Sequence, residues 1–215
     1  MAGGQPKHKL MVLRPLLIKL SLKALLVWLI FSGLGWYFQN AIGHALLPLF
    51  EATIRMLAPE FGSGLKIVTQ GHEQIIQLNV RLLKPFAISQ QYGFPAGKEF
   101  QAGSHLIHTL VPIIIELTLL MVWPVQTFQQ RTLLLVLGLI FIIPVSAAIT
   151  PTLLLGLIEI NFQETASAIG IARPDPFILS WMLFCEGGGR WLLPVVAAWV
   201  CIYLLNALSR SKRNH

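Results

Sequence analysis

Long apolar runs alternate with short polar connections along most of this chain, and four of those runs are long enough to cross a bilayer. A helix needs roughly 20 predominantly apolar residues to span the hydrocarbon core. The first run covers residues 22–38 and has an apolar continuation over 41–50. The second covers 106–123 and stops at Pro124. The third begins at Thr132 and runs through Ile149, or on to Ile160. The last, 177–208, is too long for one perpendicular crossing.

Between the first and second runs the pattern changes. Ala58, Pro59 and the glycines Gly62 and Gly64 break the preceding helix. Residues 66–70 have strand propensity, and Gly71-His72 reads as a turn. Ile76, Leu78, Val80 and Leu82 then alternate with Gln77, Asn79 and Arg81, the period of a half-buried strand. This predicts a β-hairpin, with a third strand placed before Pro85 and a returning loop over 85–103. A lone hairpin is marginal in water, so its apolar face must rest on residues 45–57, on the membrane surface or on a partner. Three segments follow: a basic N-terminus with the first span (1–57), a β-rich insert (58–104) and a three-span region (105–215).

Composition supports lipid as the solvent. Of 215 residues 55% are hydrophobic and only 12% charged, with a mean hydropathy of +0.69. Soluble domains carry about 25% charged residues, so too few charges are present to cover a water-facing surface. The expected fold class is an α-helical integral membrane protein with about four transmembrane helices and a small extracytoplasmic β-hairpin insert.

Charge supplies the orientation. Lys7, Lys9, Arg14, Lys19 and Lys23 precede the first span without an acidic residue among them. Arg131 lies between the second and third spans, and Arg210, Lys212 and Arg213 follow the last. The segments on the other side mix both signs. The positive-inside rule then puts both termini in the cytoplasm of a bacterial inner membrane. The net charge of +7 reads as topology and attraction to anionic headgroups. It is not a nucleic-acid surface, which groups its cations on a folded face. The N-terminus reads as an uncleaved signal anchor, because no small-x-small site follows the apolar run. Trp36 and Tyr37 are expected at the outer interface, where amphipathic rings are favoured.

Few residues offer chemistry. Glu116 falls near the middle of the second span, where an ionisable group is costly. It reads either as a proton- or substrate-linked carboxylate, or as an inter-helix hydrogen bond, with Arg190 as one partner. Cys185-Glu186-Gly187-Gly188-Gly189-Arg190-Trp191 sets three glycines inside an apolar run. That weakens a helix. One reading is a site where glycine amides or Arg190 receive an anionic group; the other is an interfacial turn closed by Glu186 and Arg190. It lacks the lysine and the strand-before-loop context of a phosphate loop. Cys185 and Cys201 are the only cysteines, and about 24 Å of helical rise between them excludes a disulfide. His105 and His108 share a helix face but supply only half of a metal set. Ser104 has no third group to make it a nucleophile. Pro112, Pro144 and Pro151 predict kinks. Nothing in the chain implies a metal or a cofactor.

The order of these elements resembles a known family. A basic anchor helix precedes an alternating outer hairpin; Tyr92-Gly93-Phe94-Pro95 leads into a span ending Trp123-Pro124, and a basic turn and a span with Pro144 follow. This layout, over residues 15–160, is similar to the small membrane proteins that accompany exosortases, the bacterial enzymes that process C-terminally tagged surface proteins. The exosortase catalytic plan, a Cys ahead of an Arg and then a His at the outer ends of successive spans, does not match. Cys185 and Arg190 come late, and only His215 follows them. The resemblance therefore implies an accessory role. The expected function is a non-enzymatic accessory or assembly protein whose partners are the bilayer and a membrane or extracytoplasmic protein. Gln77, Asn79 and Arg81 are its expected contact residues, on a hairpin whose edge can accept a strand. Two alternatives remain: a thiol peptidase or transpeptidase using Cys185 and Arg190, and a small proton-coupled transporter using Glu116.

Overall fold

The computed structural model describes the backbone over residues 6–87 and 93–211, and the side chains among these from Ile18 to Ser209. Tyr92, Lys212, Arg213 and His215 lie outside the described residues, as do the side chains of Lys7, Lys9, Arg14 and Arg210.

The elements run α1 (Pro6–Leu57), β1 (Phe61–Gln70), β2 (Glu73–Leu82), β3 (Phe86–Ala87), β4 (Gly93–Phe94), β5 (Glu99–His105), α2 (Leu106–Val122), α3 (Phe128–Ala168) and α4 (Phe177–Phe184). A π-helical turn (Cys185–Gly189) leads into α5 (Arg190–Ser211). Three helical stretches are long and apolar enough to cross a membrane: Ile18–Leu57, Phe128–Ala168 and Phe177–Ser209. The chain is thus an α-helical membrane protein. Its helices turn Leu26, Leu29, Leu139, Ile143, Val195 and Trp199 outward, large apolar surface suited to lipid.

α3 is one helix of 41 residues despite Pro144 and Pro151, longer than either reading of the third run. A proline inside a helix removes an N–H and crowds the carbonyl one turn back. Side chains bond the carbonyl next to the one that Pro151 leaves without its N–H partner: the Thr152 hydroxyl donates to the Ala148 carbonyl at 2.6 Å, and the indole N–H of Trp181 on α4 donates to the same oxygen at 2.8 Å.

β1, β2 and β5 form an antiparallel sheet in the order β1-β2-β5. Gln70 pairs with Glu73 across the two-residue turn Gly71-His72. Gly71 has φ 65°, and among the described residues only glycines have positive φ, which matches the turn with glycine first that suits strand twist. The third strand differs from expectation. It comes from Glu99–His105, after Pro85, in a segment read as loop. Its alternation is weak because Ala102, Gly103 and Ser104 are small, and its pairing is provided by the second edge of β2. Gly93 sits where a Cβ would meet the Phe86 carbonyl oxygen at 2.7 Å, closing the short β3–β4 pair.

The sheet rests on helix. Ile76, Leu78, Val80 and Leu82 are buried against Phe50 and Ile54 of α1 and Leu154, Leu155 and Ile158 of α3. Each such side chain contributes about 1.5–3 kcal/mol on full burial. Phe162 of α3 lies amid Phe61, Phe86, Phe94 and Phe100 at centroid distances of 4.8–6.2 Å. Arg173 lies 5.0 Å over the Phe86 ring and pairs with Glu159 at 3.0 Å.

α1 runs antiparallel to α2. Lys23 Nζ is 3.5 Å from the Val122 carbonyl; a Cβ on Gly35 would lie 3.1 Å from Ile114, and one on Gly43 2.9 Å from Leu106. This segment of α1 therefore lies along the whole of α2, whose 17 residues rise about 25 Å at 1.5 Å per residue. Trp36 and Tyr37 follow Gly35 and so stand beside the middle of α2.

Candidate functional site

The glycine triplet breaks the last apolar stretch. Gly188 has φ 133° and ψ −10°, backbone that favours glycine. At Gly189 a Cβ would lie 2.5 Å from the Phe184 ring, so the absent side chain lets the ring fold back over the turn. Arg190 then opens α5 and ties the break shut. Its Nη2 donates to Glu186 Oε2 at 2.6 Å, and its Nη1 meets His108 Nδ1 at 2.7 Å. A guanidinium only donates, so Nδ1 of His108 is the acceptor and the ring proton sits on Nε2. The His105 ring stacks on His108 at 5.6 Å, and His105 Nδ1 is 3.1 Å from Glu73 Oε2. A line of polar groups thus runs from the first residue of β2, through the start of α2, to the start of α5.

Cys185 is fully buried beside this line. With Ser104, His108, Thr109, Thr150 and Arg190 it lines a narrow cleft, where Thr150 Oγ1 and Thr109 Oγ1 are 3.2 Å apart. The structure therefore brings together Cys185, Glu186, the glycines and Arg190, and adds His108. Sequence reasoning set His108 beside His105 as half of a metal set and missed its contact with Arg190, 82 positions away. Among the described residues no three His, Cys, Asp or Glu side chains gather as a metal set.

The cleft holds the residue types of a thiol enzyme, but their hydrogen bonds are not those of an activated nucleophile. A histidine that deprotonates cysteine needs a free ring lone pair directed at sulfur. Arg190 occupies the Nδ1 lone pair, and Nε2 carries the proton.

Glu116 is elsewhere. The expected pairing with Arg190 does not occur: Arg190 is taken by His108 and Glu186, and Glu116 lies eight residues farther along α2, about 12 Å of rise. Glu116 is fully buried, with neither carboxyl oxygen hydrogen-bonded among the described residues. One turn on, the Leu120 side chain occupies the place that a Cβ at Gly138 would take.

No protein-family model, curated protein or solved structure matches the chain. Geometry alone therefore ranks the surfaces.

The most developed surface is the sheet face turned away from the helices. The register sets Gly62, Arg81 and Glu99 in one row, Gly64, Asn79 and Gln101 in the next, and Lys66, Gln77 and Gly103 in a third. Amide and charged side chains occupy the middle strand, and glycines flank it, so the face is polar and low-walled. One hollow of about 620 Å³ is lined by residues including Gln70, Gln77, Gln101 and His105; another of about 320 Å³ includes Asn79, Arg81 and Glu99. The outer edge of β1 is not paired with a strand among the described residues. On this strand Glu51 of α1 accepts from the Leu65 amide at 3.4 Å.

Proposed function

We propose that this chain is a non-enzymatic accessory or assembly subunit of the bacterial inner membrane. It crosses four times, with α2 as the fourth crossing beside the three longer helices. Both termini are cytoplasmic and the sheet is extracytoplasmic. Lys23 and Arg131 support that orientation, since both lie at the end of α2 remote from the sheet. Arg131 there donates to the Leu120 and Trp123 carbonyls at 2.6 and 2.8 Å, where a cation suits the negative end of a helix.

One observation carries the functional reading: a polar, glycine-flanked sheet face and a short open strand edge are held clear of the apolar helices on the ends of α1 and α3. Such a face suits an extended polypeptide, which takes main-chain bonds from the edge and side-chain contacts from alternate residues. The element order resembling exosortase-associated proteins points to a partner in surface-protein sorting. Photo-crosslinkers at Gln77, Asn79 and Arg81 should capture one specific protein in intact cells. Recovery of lipid alone from all three positions refutes the reading.

A second reading, a thiol peptidase or transpeptidase, draws on Cys185, His108 and Arg190 sharing one cleft. The protonation forced on His108 argues against it. Its distinguishing result is loss of substrate processing in Cys185→Ser with normal insertion and folding.

A further inference from the structure

α1 has two faces of different character. One carries Gly35 and Gly43 and packs on Ile114 and Leu106 of α2. The other carries Leu26, Gly33, Tyr37, Asn40 and His44, which return to one side at 100° per residue. Tyr37 is 77% exposed and Leu26 59%; Asn40 and His44 are exposed, and nothing lies within 4 Å of a Cβ at Gly33. The alignment with α2 puts Tyr37 and Asn40 beside the apolar length of that helix, not beyond its end. Side chains on a helix tilt toward its N-terminus, here away from the sheet and deeper into the layer. A hydroxyl and an amide exposed to hydrocarbon lack the partners that water would supply. Packing small residues and bonding polar ones is how helices associate in lipid.

We propose that this stripe is the contact between two copies of the chain, α1 against α1, about a two-fold axis along the membrane normal. All copies insert in the same orientation, so their α1 helices are parallel. A two-fold contact then sets each residue of the stripe against its own equivalent. Only groups that both donate and accept satisfy that geometry. The amide of Asn40 and the hydroxyl of Tyr37 both do. Gly33 lets the backbones approach. No charged residue occurs between Lys23 and Glu51, so like charges do not meet within the stripe. Lys19 and Lys23 lie at the headgroup end, and the contact begins beyond them at Leu26.

The test uses the full chain in vesicles of phosphatidylcholine and phosphatidylglycerol. Gly33→Cys and Asn40→Cys should each form a disulfide-linked dimer on mild oxidation. Leu139→Cys, on the exposed face of α3, should not, and the unsubstituted chain gives the background of the buried native thiols. By energy transfer between labelled copies, Asn40→Ala should raise the protein-to-lipid ratio for half-association about three- to thirty-fold, and Asn40→Gln should restore most of the loss. Equal crosslinking at all three sites, an unchanged ratio in Asn40→Ala, or capture in cells of a different protein instead of a second copy overturns the proposal. None of these outcomes involves the sheet, so the proposed partner contact there stands or falls separately.

Discussion

Arg190→Gln removes the cation that closes the break between α4 and α5, and the buried thiol beside it reports the result. Two hydrogen bonds hold the turn, one to Glu186 at 2.6 Å and one to His108 at 2.7 Å. The Glu186 side chain is 46% exposed, so solvent screening reduces that pair to about 0.5–1 kcal/mol. The His108 bond involves a charged donor and a largely covered guanidinium, and such bonds contribute about 1.5–3 kcal/mol. Opening the turn should therefore become easier by about 2–4 kcal/mol. At about 1.4 kcal/mol per tenfold, Cys185 should react with a membrane-permeant maleimide about thirty- to several-hundred-fold faster. Cys201 is the internal control. It belongs to a separate cluster with Leu120, Leu134 and Leu205 at the other end of the helices, and its rate should change less than about twofold if the opening is local. Mass spectrometry of the two cysteine peptides reads both rates in one sample. Arg190→Lys should fall between, because one ammonium cannot reproduce the fork that reaches both partners. An unchanged Cys185 rate, or equal acceleration of both thiols, refutes the local clasp.

Phe162→Ala should cost about 3–5 kcal/mol, because the ring is 1% exposed and four other phenylalanines surround it. Protease cleavage within the β strands should rise sharply while helix content by circular dichroism stays constant; equal resistance would mean the ring is not central. Glu116→Leu should raise resistance to denaturation by sodium dodecyl sulfate, since an unsatisfied buried polar group costs about 1–3 kcal/mol. A fall in resistance would mean that the carboxyl is bonded, and loss of proton flux in proteoliposomes carrying Glu116→Gln would assign it a transport role.

The membrane character was legible because it depends only on summed apolar surface and charge scarcity, which need no partner. The alternation over residues 76–82 was legible for a similar reason: one face of β2 is buried along its whole length, so Ile76, Leu78, Val80 and Leu82 are all apolar. β5 was not. Its residues are small, and its strand conformation depends on β2 across a separation that no local window contains. The contact of His108 with Arg190 is equally long-range, as is the bond of Trp181 to the Ala148 carbonyl of α3.

The lengths of α1 and α3 explain how so small a sheet is stable. At 52 and 41 residues they extend about 78 and 60 Å, against about 30 Å of hydrocarbon. Part of that excess lies under the strands, where Phe50 and Ile54 of α1 and Leu154, Ile158 and Phe162 of α3 belong to the same buried cluster as Ile76, Leu78 and Val80. A two-stranded hairpin has too little apolar surface of its own to be stable in water, and a third strand or packing on a helix is needed. Sharing a core with helix ends removes that difficulty and fixes which sheet face is left uncovered. The polar face at Gln77, Asn79 and Arg81 is thus a consequence of the opposite face being claimed by α1 and α3, and the sheet is one folding unit with the helices that carry it.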